Sequence, residues 1–211
     1  MARRAVTNLL GLAVLGTLAQ RPMHRYEIAM TIREQGKDED MDVKWGSLYT
    51  VVKNLERHGL VEATGTDRAG ARPERTIYRI TGAGLQEMAD WTRDLLRTPA
   101  AEHPSFTAGL SMIAAVPPAE AVVLLRERME RLESALREGR TRLAREGAGV
   151  PRLFLVEDEY GMAMQAAEIA WIRGLLDELE AGTFPDLATW QHAHETGPLD
   201  PRAEGGDPET I

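Results

Sequence analysis

The stretch VKWGSLYTVVKNLERHGLVEATGT, residues 43–66, changes its hydrophobic period in the middle, and this change constrains the fold more than any other feature of the chain. Leu48, Val52 and Leu55 recur at the spacing of one helix face, Gly59 interrupts, and Leu60-Val61 opens an extended segment. The helix is expected to stop at Gly59, because glycine takes the left-handed conformation of a helix C-terminus at little steric cost. Ser47 is expected to cap its start, its hydroxyl accepting from the backbone of the first turn. The face opposite the apolar one carries Tyr49, Thr50, Lys53, Asn54 and Arg57. Hydroxyls, an amide and two cations therefore share one stripe directly before a strand.

The elements around this stretch complete a pattern. A first helix is expected over residues 5–20, with Val6, Leu9, Leu10, Ala13 and Leu18 inside, ending near Arg21-Pro22 where proline removes a donor. A second is expected from His24 to Gln35, with Tyr26, Ile28, Ala29 and Ile32 inward, followed by a solvated acidic loop. After the third helix come strand candidates at 60–64 and 76–80, joined by the turn-rich segment GTDRAGARPER with Arg68, Arg72 and Arg75 at the hairpin tip. Thr81 is expected to cap a fourth helix in which Leu85, Met88, Trp91 and Leu95 share a side. Helix, helix, helix, two-stranded hairpin, helix is the order of a winged helix-turn-helix. There the third helix enters the DNA major groove and the wing reaches phosphates or the minor groove.

The charge distribution permits that reading although the whole chain carries a net charge of −8. Residues 1–98 hold 15 Lys/Arg against 13 Asp/Glu, whereas residues 99–211 hold 10 against 20. A mildly basic first part joined to an acidic second part leaves a nucleic-acid partner open to the first. The absence of cysteine excludes disulfides, thiolate metal sites and cysteine nucleophiles, and fits a reducing cytoplasm. Arg3-Arg4 followed by an apolar run resembles the start of a signal peptide. Thr7 and Asn8 interrupt that run and no small-x-small cleavage site follows it, so a buried helix is expected. No stretch approaches the ~18–20 apolar residues of a membrane span.

Within this order, PMHRYEIAMTI (residues 22–32), GSLYTVVKNLERHGLVEA (46–63) and GARPERTIYRITGAGL (70–85) resemble the three signatures of PadR-type transcriptional regulators. The resemblance spans roughly residues 6–90 and is looser beyond, where only the arrangement of long helices agrees. It implies a homodimer on an inverted-repeat operator in double-stranded DNA, usually a repressor released by a small molecule. Two positions depart from the family pattern. Arg25 stands where the family usually has glycine, adding a cation beside Tyr26; Thr50 stands where it often has proline, keeping the amide. Base edges need matched donors and acceptors, which Tyr49, Thr50 and Asn54 supply, and phosphates need cations, which Lys53, Arg57, Arg68, Arg72 and Arg75 supply. Arg25, Tyr26, Ser47 and Tyr78 complete the expected DNA-binding set.

The second half has a different logic. Over residues 119–146, Val122, Leu125, Met129, Leu132, Leu136 and Leu143 fall on three- and four-residue steps, a heptad-like stripe. A helix from about 150 to 181 carries two apolar stripes. One is Leu153, Val156, Tyr160, Met164, Ala167, Trp171 and Leu175; the other is Met162, Ile169, Ile172, Leu176 and Leu179. A helix apolar on two sides must be covered on both, so dimerisation is expected through Val122, Leu125, Met129, Leu132, Leu136, Ile169, Ile172, Leu176 and Leu179. Trp91, Tyr160, Met164 and Trp171 are expected to line a pocket for a small aromatic effector between the winged domain and the long C-terminal helix; ordinary dimer core is the equal alternative for them.

The fold class expected is therefore mainly α with a small two-stranded β wing. It comprises an N-terminal winged helix-turn-helix domain (1–98), a linker or short helix (99–116), a C-terminal antiparallel helical dimerisation and effector domain (117–195), and a disordered tail (196–211). No phosphate loop, Ser/His/Asp arrangement or isolated carboxylate pair emerges, so no enzyme, cofactor or metal is expected. His192 and His194 read as part of a solvated loop. The function expected is a cytoplasmic, nucleoid-associated, ligand-responsive repressor, with activation left open. The alternative is a winged-helix protein-interaction module with weak or no specific DNA binding.

Overall fold

Asn8, which breaks the apolar run of the N-terminus, starts the first helix. Its Oδ1 accepts from the Leu10 amide at 2.9 Å, so α1 spans Leu9–Leu18 and not the longer range expected from periodicity. In the computed structural model, residues 6–37, 41, 45–67 and 75–196 are described. The chain divides into two units, Met1–Ala101 and Glu102–Ile211. The stretch expected as a linker thus belongs to the second unit from Glu102 onward.

The first unit runs α1, β1 (Met23–His24), α2 (Arg25–Glu34), a 3-10 turn (Trp45–Ser47), α3 (Leu48–Arg57), β2 (Val61–Asp67), β3 (Arg75–Ile80) and α4 (Gly82–Arg97). α1 is apolar nearly all round and is the central element, with Leu10, Val14, Leu15 and Leu18 at 2% exposure or less. Ile28 and Ile32 of α2, Val52 and Leu55 of α3, and Val61 and Tyr78 of the sheet close around it. Each such aliphatic side chain contributes about 1.5–3 kcal/mol by leaving water. The sheet has three strands rather than two, in the order β1-β3-β2, all antiparallel. The added strand is Met23–His24, opposite Tyr78 and Ile77, too short to carry a period of its own. The hairpin register slips between Ala63 and Gly65, a bulge at Thr64 that twists the wing.

Among the described residues, Thr17 alone has a buried side-chain polar atom, its Oγ1, without a hydrogen-bond partner. An unsatisfied buried hydroxyl is destabilising. Thr17→Val, close in shape, is expected to stabilise the first unit by about 1 kcal/mol, read as a rise in Tm by circular dichroism. A fall in Tm would show the hydroxyl to be satisfied in solution.

The second unit contains α5 (Ser105–Ser111), a 3-10 turn (Ile113–Ala115), α6 (Pro118–Glu146), a second 3-10 turn (Arg152–Phe154), α7 (Val156–Glu180) and α8 (Leu187–Thr196). Pro118 sits in the first turn of α6, where its missing N–H costs nothing. α7 starts later than the expected residue 150, because the chain after Pro151 first makes its 3-10 turn, and Leu153 falls outside the helix. α6 and α7 are antiparallel: the pairs Arg126–Glu180 (2.8 Å), Glu133–Arg173 (2.8 Å) and Arg142–Asp158 (3.8 Å) run in opposite directions along the two helices. Exposed pairs of this kind add about 0–1 kcal/mol each and mainly fix register.

The buried faces of these helices correct the expected dimer surface. Leu125, Leu136, Ile169, Ile172, Leu176 and Leu179 are all at most 8% exposed within a single chain, and Val122, Met129 and Leu132 pack against the same cluster. The heptad-like stripe is intrachain core, since α6 covers one face of α7. The other face stays open, with Val156, Tyr160, Met164 and Trp171 between 48% and 68% exposed.

Candidate nucleic-acid interface

α3 is positioned from both ends by backbone chemistry. At its C-terminus Gly59 has φ +69°, the Gly59 amide donates to Glu56 O at 2.9 Å, and the Leu60 amide donates to Leu55 O at 2.9 Å. This pair of bonds is a Schellman motif, and it turns the chain directly into β2. The hairpin returns at Thr81, whose Oγ1 donates to Gly59 O at 2.7 Å and accepts from the Gly84 amide at 3.0 Å. The α3–β2 turn and the start of α4 are thereby tied together. At the other end, Ser47 does not cap as expected. It is the last residue of a 3-10 turn with helical backbone (φ −93°, ψ −8°), and its side chain makes no capping bond, because the turn already feeds the helix.

With Val51, Val52 and Leu55 buried, α3 presents its polar stripe outward. Tyr49 is 57% exposed, Thr50 and Arg57 are exposed, and Lys53 and Asn54 are half-buried. Lys53 Nζ donates to Glu56 Oε2 at 2.7 Å. That bond, with a smaller contribution from the Tyr78 phenol, raises the Lys53 pKa above its ordinary value and keeps the ammonium charged. Arg25, the first residue of α2, places its guanidinium 4.5 Å from the Tyr49 ring centroid. The departure from glycine at this position thus joins the stripe through a cation–π contact. Arg33 stacks in the same way on Trp45, at 4.2 Å. At the start of α2, Glu27 accepts from the His24 amide at 2.8 Å, and this bond chiefly holds its carboxyl below the ordinary range.

Tyr26 is 71% exposed, so it faces solvent and not the interior as the helix period suggested. Tyr78 is the reverse. At 1% exposure it is a core residue of β3, which pairs with β1 on one side and β2 on the other. Arg68 and Arg72 lie outside the described residues, and of Arg75 only the backbone, opposite Asp67, is described. Arg79, which alternation had not singled out, is exposed but held by Glu62 directly across the hairpin. The Glu56–Lys53 pair was legible as an i,i+3 spacing; the Arg25–Tyr49 and Arg33–Trp45 contacts were not, because they join separate elements.

The Glu56 carboxylate would compete with a phosphate for Lys53. Glu56→Gln is expected to strengthen binding to every duplex by roughly three- to tenfold and to steepen the dependence of log K on log salt by up to about one unit. Fluorescence anisotropy over a salt series checks this. Unchanged affinity and slope would place Lys53 away from phosphate.

Of the residues expected to line an effector pocket, Trp91 is buried in the first unit, where its ring lies against Gly11 of α1. In the second unit, Trp171 lines a cavity of about 410 Å³ whose lining does not include Tyr160 or Met164. The segment read as a loop around His192 is helix α8, and His194 Nε2 lies 2.9 Å from Ala114 O. Among the described residues no helix is long and apolar enough to cross a membrane.

A three-helix core, an outward polar stripe on its third helix and an antiparallel wing define a winged helix-turn-helix fold. Residues 14–90 match the model of the Transcriptional regulator PadR-like family. The fold of the chain is similar to that of Bacillus subtilis PadR in complex with operator DNA (TM-score 0.69, 19% identity, covering 82% of this chain and 99% of that one). Bacillus subtilis PadR in complex with p-coumaric acid is similar too (TM-score 0.66, 20% identity, covering 82% and 99%). So is the Vibrio cholerae virulence activator AphA (TM-score 0.58, 19% identity, covering 82% and 98%). At these identities the likeness concerns the fold alone. No curated protein matches the chain.

Proposed function

We propose that this chain is a ligand-responsive transcriptional repressor that binds an inverted-repeat operator as a cytoplasmic homodimer. The observation that carries the proposal is the stripe of Tyr49, Thr50, Lys53, Asn54 and Arg57 on one side of α3, the other side being core. Tyr49, Thr50 and Asn54 meet base edges; Lys53 and Arg57, with Arg25 and the wing arginines Arg68, Arg72 and Arg75, meet phosphates. The operator-bound and p-coumaric acid-bound states of the Bacillus subtilis relative support a regulator that takes both DNA and a small molecule. The exposed apolar side chains Leu153, Phe154, Val156, Tyr160 and Met164 are the surface a second copy covers, in place of the buried stripe. A two-fold dimer then matches two half-sites about one helical turn, or a multiple, apart.

The test is an anisotropy titration of full-length protein against inverted repeats taken from upstream of its own gene and its neighbours, beside scrambled duplexes, with sedimentation at the same concentrations. Specific binding by a dimer that falls steeply with salt, and lower transcription from the bound promoter, are the expected results. Equal binding to scrambled DNA would favour the protein-interaction reading. Specific binding with raised transcription would make the protein an activator, as its relative AphA is.

A further inference from the structure

Tyr49 is the second residue of α3 and 57% exposed, so the core does little to fix its ring. A ring standing free on a helix surface moves between rotamers, and ordering it on a base edge opposes binding. Lys53, its neighbour one turn on, is turned to Glu56 at 2.7 Å. The support comes from another helix. The Arg25 guanidinium carbon lies 4.5 Å from the Tyr49 ring centroid. Arg25 is half-buried at the first position of α2, the positive end of the helix dipole, where a cation gains nothing from the helix. Among the described residues no carboxylate pairs with it. The ring face is therefore the contact that places the guanidinium, and planar stacking leaves the N–H edges of the fork free for an acceptor. At the other end of α2, Arg33 lies 4.2 Å from the ring of Trp45, on the 3-10 turn that feeds α3. α2 thus grips the entry of α3 at two aromatic side chains, of which Tyr49 belongs to the polar stripe.

We propose that Arg25 is a positioning residue whose guanidinium holds the Tyr49 ring in the orientation that meets a base edge, so that operator preference belongs to the Arg25–Tyr49 pair and not to Tyr49 alone. A phosphate taken by the free edge of the Arg25 fork draws guanidinium and ring to the duplex as one unit. Loss of Arg25 then has two consequences. The missing phosphate contact is felt by every duplex, and the unfixed ring only by the operator. A lysine keeps the first contribution and loses the second, because an ammonium is a point charge with no plane to stack. The inference deepens the DNA-recognition part of the proposed function and rests on that reading.

The test titrates full-length protein with operator and with scrambled duplex over a salt series, each variant checked by circular dichroism. Arg25→Lys is expected to lower the ratio of specific to non-specific affinity roughly five- to twentyfold with the salt slope unchanged. Arg25→Ala is expected to lower the ratio alike and to flatten the slope by about one unit. In the Tyr49→Ala background Arg25→Lys is expected to change the ratio no further, since the ring it holds is gone. Arg33→Ala removes the other guanidinium–ring contact of α2 without touching Tyr49, and is expected to leave the ratio as it is. A ratio untouched by Arg25→Lys, or Arg25 and Tyr49 effects that simply multiply, would make Arg25 a phosphate contact alone and overturn the proposal. An equal loss in Arg33→Ala would overturn it too, by making the effect one of α2 packing. The pair is also read without DNA. The Arg25 Nε–Hε NMR signal is expected upfield of the exposed arginines and to join them in Tyr49→Ala; an ordinary position in the wild type would overturn the stack and the proposal with it. If that signal is shifted but no duplex is preferred over scrambled sequence, the regulator reading fails and takes the role of Arg25 in recognition with it, while the stack itself stands.

Discussion

Gly84→Ala is expected to destabilise the first unit by about 3 kcal/mol, lowering its Tm on the order of 10–20 °C. A Cβ built at Gly84 would sit 2.0 Å from the carbonyl oxygen of Leu60 and 2.8 Å from Ile80 Cγ1. The first of these is backbone, held in place by the Thr81 amide at 3.1 Å and by the turn after α3. The contact cannot be relieved by a rotamer change; either α4 moves off the sheet or the α3–β2 turn opens. The same turn aims α3, so operator affinity is expected to fall well before the unit unfolds. Thermal unfolding by circular dichroism and an operator titration at low temperature measure the two consequences. A variant with wild-type Tm and affinity would show that this close approach is absent in solution.

The second large effect concerns sequence preference. Tyr49→Ala and Asn54→Ala are each expected to reduce specific operator affinity by roughly ten- to hundredfold, the loss of a base contact worth about 1–3 kcal/mol. Binding to non-specific duplex and the salt slope should be unchanged, because neither side chain is charged. Arg57→Ala is the contrasting control, weakening all duplexes alike and flattening the slope by about one unit. Tyr49 is 57% exposed and lies under Arg25, so its removal leaves the core intact. Asn54 is half-buried, so circular dichroism must accompany its measurement. If Tyr49→Ala and Asn54→Ala leave the ratio of specific to non-specific affinity unchanged, α3 does not read base edges.

The sequence by itself determined what depends on neighbours a few residues apart. The stop at Gly59, the cap at Thr81 and the amphipathic period of α3 are local, and each appears in the structure where spacing and residue chemistry place it. The start of α1 was legible too, had Asn8 been read as a cap instead of an interruption. Helical period also shows that α7 is apolar on two sides, but it cannot say which element covers which side. That required the antiparallel packing of α6 on α7, which turned the expected dimer stripe into intrachain core and left Val156, Tyr160 and Met164 outside. Tyr78 and Arg25 illustrate the same limit at single residues. One lies on the sheet face packed against the helical core and the other is brought over Tyr49 from a different helix. The aromatic cavity joins Leu110, Trp171 and Trp190, which lie far apart in the chain. Contacts between separate elements depend on how those elements pack, and hydrophobic periodicity records only that a face is covered, not by what.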